Sequence, residues 1–107
     1  MHNSRVAEKD LERELIDALK NHEHKAFEEF YDRYAPAFFG NIKRTLYKKD
    51  VSEATLKAVF KTIWTSIDHY DPAKESLFTW ALKISGQEIS HQKIELVKEE
   101  LFYCQRH

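Results

Sequence analysis

Apolar residues recur along this chain at intervals of three and four. Nowhere do they alternate with period two for long enough to suggest a strand. Leu11, Leu15, Ala18 and Leu19 share one helical face, and Asn21 closes that run. Phe27, Phe30, Tyr31 and Tyr34 make a second stripe. Pro36 disfavours helix at Ala35 and suits the first turn of a new segment, which carries Phe38, Phe39, Ile42 and Leu46. Asp50 with Glu53 has the form of a capping box, Asp standing for the usual Ser or Thr. It opens a helix bearing Leu56, Val59, Phe60, Ile63, Trp64 and Ile67, which Asp71-Pro72 stops. Ser76 is an N-cap for a last helix running from Leu77 towards the C-terminus. The pattern predicts an all-α fold, a compact bundle of about four to five helices. Its expected core includes Phe27, Phe30, Phe39, Ile42, Val59, Phe60, Ile63, Trp64 and Ile84.

Two features interrupt the pattern. Gly86 falls inside the last helix, where it costs about 1 kcal/mol relative to alanine, and close helix packing or a slight kink is the expected reason. Beyond it the apolar phase drifts. Ile94, Val97, Leu101 and Cys104 form a stripe of their own, which either docks on the bundle or pairs with another molecule.

A length of 107 residues suits one domain spanning 1–107. A formal charge of −1 argues against a general electrostatic binder of nucleic acid, though not against a local basic patch. Cys104 is the single cysteine, so an internal disulfide is excluded and a reducing cytoplasm is the expected location. No apolar run approaches the ~20 residues that span a bilayer, and the first ten residues lack the apolar core of a signal peptide.

Catalytic and metal chemistry find little support. His22 and His24 lie at a helix junction without the cysteine or carboxylate spacing of a metal site. No Gly-rich phosphate loop and no Ser/His/Asp arrangement is present, so neither an enzyme, a metal nor a cofactor is expected. Basic residues are more informative. Lys43, Arg44, Lys48 and Lys49 crowd the end of one predicted helix, where cations also complement the helix dipole. Lys57 and Lys61 lie one turn apart on the next. Lys74, Lys83 and Lys93 follow, interleaved with Tyr70, Phe78 and Trp80. Cations beside aromatic faces can track phosphates and stack unpaired bases, whereas aromatics at a helix start more often belong to a core.

The order of these pieces resembles region 2 of bacterial RNA polymerase sigma factors of the extracytoplasmic-function (ECF) type, from about Leu15 to Lys93. "AFEEFYDRYAPAFFGNIKRTL" resembles that family's opening helices. "VFKTIWTSIDHYDPAKESLFTWALKIS" resembles its middle helix, its loop and the start of its promoter-facing helix. The resemblance implies an all-helical module that docks on the β′ clamp of core RNA polymerase and holds the single-stranded promoter −10 element. It implies a polymerase-facing surface at Glu53, Lys57 and Lys61. It also implies DNA contacts at Tyr70, Lys74, Ser76, Lys83 and Gln87, with Tyr70 either anchoring the loop or offering a stacking face. An anti-sigma regulator is a further implied partner.

The chain departs from the family at two places. Where acids and a glutamine usually precede the Val-Phe pair, it reads "VSEATLKA", keeping Glu53 alone and placing Lys57 at the glutamine. Where the last helix usually carries arginines, it has Gly86-Gln87, His91-Gln92 and Ile94-Glu95, with Lys83 retaining one basic position. The sequence ends before the helix-turn-helix domain that follows in the family, as expected either of an isolated domain of a longer protein or of a shortened relative. The missing acidic and arginine positions, with the Ile94, Val97, Leu101 and Cys104 stripe, support an alternative to promoter binding: a sigma-like bundle acting as a protein-interaction or self-association module.

Overall fold

Four α-helices and one short 3-10 turn make up the regular structure of the described residues, in a computed structural model that describes the backbone over 4–106 and side chains over 11–101. They are α1 (Ser4–Lys20), α2 (His24–Leu46), α3 (Lys49–Ser66) and α4 (Leu77–Arg106), with the 3-10 turn at Ile67–His69 after α3. There is no strand among the described residues. The all-α bundle is therefore as the periodicity predicts.

The predicted break at Pro36 is absent: α2 runs through it as one helix of 23 residues. Proline removes one i to i−4 hydrogen bond, here the one that would reach the Asp32 carbonyl. Pro36 and Asp32 both face solvent, so water can satisfy that carbonyl, while Ala35 and Phe38 keep the helix seated on the core. The capping box at Asp50 also does not form. The helix begins two residues earlier, with Lys48 rather than Asp50 as its N-cap, and no side chain caps it. Asp50 instead lies in the first turn, where its carboxylate opposes the positive end of the helix dipole.

The turn between α1 and α2 is closed by backbone alone. The His22 amide donates to the Leu19 carbonyl at 2.9 Å and the Glu23 amide to Ala18 at 3.1 Å, with His22 in the left-handed region at φ 56°. That is the double bond pattern of a Schellman C-cap, with histidine at the position glycine usually fills. At the start of α4 the predicted cap is present, since the Ser76 hydroxyl accepts the Thr79 amide at 3.2 Å.

The core joins Leu15 and Leu19 of α1, Phe30, Phe38 and Ile42 of α2, Val59, Phe60 and Ile63 of α3, and Leu77, Ala81 and Ile84 of α4. Phe27, Phe39 and Trp64, expected inside, are half-buried at its edge. Leu11 lies open to solvent. Gly86 does not mediate close packing: a Cβ built there would meet nothing within 4 Å.

Helix α4 outruns the bundle. At 1.5 Å per residue its 30 residues extend about 45 Å, and the molecule measures 66 Å along its longest axis against 27 and 25 Å across. Leu96 still packs on the core, but Ile94, Val97 and Leu101 are more than half exposed, so their stripe does not dock on the bundle. The Cys104 side chain lies outside the described residues.

Candidate functional site

The loop from Tyr70 to Ser76 is held by polar contacts at nearly every position. Pro72 presets the backbone angle at the second place of a turn that the Lys74 amide closes on the Asp71 carbonyl at 3.0 Å. The Asp71 carboxylate accepts the Ala73 amide at 2.9 Å, a local side-chain bond that stiffens the same turn. The Tyr70 hydroxyl donates to the Glu75 carbonyl at 2.9 Å, and Lys20 of α1 donates to the Tyr70 carbonyl at 2.5 Å while lying over its ring. Tyr70 is only 2% exposed, and its ring packs on Trp80 at 5.2 Å. Of the two roles open to Tyr70, its geometry is that of the anchor, and its ring face is not offered to solvent. Burial raises its hydroxyl above the ordinary pKa of 10.0, with smaller contributions from Glu12, Glu75 and Asp71.

The other loop-side residues are divided by the fold. Lys74 projects from the exposed tip and makes no ion pair among the described residues. Ser76 is exposed, with its hydroxyl committed to the cap and to Thr79. Lys83 turns back to the loop, its ammonium 2.6 Å from the Glu75 carboxylate. Lys83 and Gln87, one turn apart on α4, border a shallow hollow with Ser90, His91 and Ile94. The two aromatics at the start of α4 part company. Trp80 supports the loop through Tyr70, whereas Phe78 packs on Tyr34 and Phe38 of α2 with one edge open.

Glu53, Lys57 and Lys61 form a line of exposed residues along α3, each one turn from the next. Beside Lys57 and Lys61 lies a groove of about 360 Å³ between α2 and α3, lined also by His24, Phe27, Tyr31, Phe60 and Trp64. Its aromatics brace one another: Phe27 meets Trp64 at 4.9 Å and Tyr31 meets Phe60 at 4.7 Å. Sequence reasoning missed this groove because paired aromatics four apart, 27 with 31 and 60 with 64, read as core. It also missed Tyr47, which is 82% exposed between α2 and α3 at φ 68°, amid Lys43, Arg44, Lys48 and Lys49. The only sequence signal there is an aromatic set between two basic pairs. No group of three or more potential metal ligands occurs among the described residues, and no described helix is long and apolar enough to cross a membrane.

Over 71 residues, 66% of this chain, it is 30% identical to the ECF RNA polymerase sigma factor SigK of Mycobacterium tuberculosis (strain ATCC 25618 / H37Rv). The match to SigK of Mycobacterium bovis (strain BCG / Pasteur 1173P2) has the same identity and extent. The chain thus carries a sigma-factor-like region. It covers 38% of the length of these curated relatives. No family model matches the chain, and no solved structure matches it with significance.

Proposed function

We propose that this chain is a sigma-factor-like domain in bacterial transcription initiation. It binds the β′ clamp of core RNA polymerase through the exposed line of α3 and holds single-stranded promoter DNA against the Tyr70–Ser76 loop and the start of α4. The similarity to SigK over 71 residues is the observation that carries this reading. The loop adds physical support. It is a short surface connection fixed from both sides by Lys20 and Tyr70, with Lys74 at its tip and Lys83 behind it. A rigid loop with cations nearby can hold an extruded base and its phosphates at little ordering cost.

The deciding experiment is co-purification of the full chain with core RNA polymerase, followed by binding of the complex to promoter DNA carrying a melted bubble. Retention on polymerase and preference for the bubble support the proposal; loss of both sinks it. The exposed stripe of Ile94, Val97 and Leu101 favours a second reading, a protein-interaction module, which predicts partner capture through α4 without polymerase.

A further inference from the structure

The groove between α2 and α3 has an apolar floor and a basic wall. Phe27, Tyr31, Phe60 and Trp64 supply contiguous ring surface, braced ring against ring, so little ordering is needed to present it. Lys57 and Lys61 stand along one side and make no ion pair among the described residues. Beyond Tyr31 the surface continues into a second hollow of about 290 Å³ lined by Asp32, Ala35, Pro36, Phe39 and Leu56. The charge is therefore graded: basic at the Trp64 end, acidic at the Asp32 end, with Glu53 one turn before Lys57.

From this juxtaposition we infer that the groove is a docking site for an amphipathic helix of another protein, whose apolar stripe is flanked by carboxylates. The two lysines are about 6 Å apart along α3, the rise of four helical residues, which matches carboxylates four apart on a partner helix. Such a helix lays its stripe on the rings and its acids against Lys57 and Lys61. A partner with lysines in those places meets like charge and is rejected. The inference deepens the proposed function at the same face and rests on it only in treating that face as protein-binding. It specifies the sign of the partner's charge.

The test uses the full chain and two labelled synthetic helices read by fluorescence anisotropy at low salt. Both carry leucines at successive three- and four-residue intervals; one has glutamates flanking the stripe and the other has lysines. The glutamate helix is expected to bind at least roughly tenfold more tightly. The double variant Lys57→Glu/Lys61→Glu, checked for native circular dichroism, is expected to reverse that order. Trp64→Ala is expected to weaken the glutamate helix without reversing it. Equal affinity, an order that survives the double reversal, or failure of both helices to bind overturns the inference. Polymerase co-purification is read separately, so charge-blind binding by a chain that still captures polymerase refutes the helix proposal alone.

Discussion

The Tyr70 hydroxyl donates to the Glu75 carbonyl at 2.9 Å, so the residue that ends the 3-10 turn ties down the residue before the α4 cap. The bond closes the Asp-Pro loop on itself, and the ring beneath it is buried against Trp80. Tyr70→Phe keeps the ring and deletes the bond. It is expected to cost about 0.5–1.5 kcal/mol, because the Glu75 carbonyl loses its protein donor. In thermal unfolding that is a fall of a few degrees, roughly 4 °C per kcal/mol for a domain of this size. The variant also changes the alkaline limb. The folded Tyr70 holds its proton above the ordinary pKa of 10.0. Above pH 10 the folded chain therefore binds more protons than the unfolded one, and stability falls as pH rises towards the raised folded value. Tyr70→Phe removes that contribution, so a denaturant midpoint series from about pH 9 upward is expected to show a shallower decline.

Phe60 is 3% exposed and meets the rings of Phe27, Phe30, Tyr31 and Phe38. It forms both core and groove floor. Phe60→Ala is expected to cost about 3–5 kcal/mol, since a central ring leaves a cavity that stiff neighbours cannot fill. Urea unfolding measures it; a loss below about 1 kcal/mol would place Phe60 outside the core.

Gly86 offers a gain instead. It sits on the exposed face of α4, a Cβ added there would point into open space, and its φ is not positive. Gly86→Ala is expected to stabilise the fold by about 0.5–1 kcal/mol through helix propensity and a less flexible unfolded chain. A decrease in the thermal midpoint would show that the missing side chain matters for a conformation other than this one.

Most of the fold was legible because burial follows helical period: Phe30, Ile42, Val59, Phe60 and Ile63 fall on their predicted faces and inside. Pro36 was misread because local preference says break, while Ala35 and Phe38 on either side have a shared core to reach. The cap at Asp50 was misread because Lys48 and Lys49 are poor start signals, and tertiary packing sets that helix end. For the site, Tyr70 could be numbered from sequence but not turned inward, because the Glu75 carbonyl and Lys20 reach it only in three dimensions. The groove was illegible for the same reason: each helix brings half of it.

Tyr47 combines high exposure with a φ of 68°, where side chains other than glycine are strained, and the amide after it closes a tight bond from Lys48 to the Leu46 carbonyl at 2.7 Å. Tyr47→Gly is expected to raise stability by about 0.5–1 kcal/mol, because strain is relieved and little buried surface is lost. Tyr47→Ala keeps the Cβ and is expected to leave stability nearly unchanged. Matching thermal midpoints for the two variants would refute a strained turn.

The last prediction follows from the partition of the two lysines nearest the loop. Lys74 points to solvent, whereas Lys83 is paired to Glu75 at 2.6 Å. Under the proposed function both approach DNA phosphates, but only Lys74 does so without first breaking a contact. Lys74→Glu is therefore expected to weaken binding of bubble DNA several-fold and to lower the salt slope by about one. Glu75→Gln is expected to act in the opposite direction. It releases Lys83 and removes a negative charge from the phosphate path. It leaves the loop closed, because Tyr70 binds the backbone carbonyl of Glu75 rather than its carboxylate. Fluorescence anisotropy with bubble and duplex DNA over a series of salt concentrations measures both effects. Weak, equal binding of bubble and duplex, unmoved by either substitution, would leave the loop as scaffold and shift the weight to protein partners at α3 and α4.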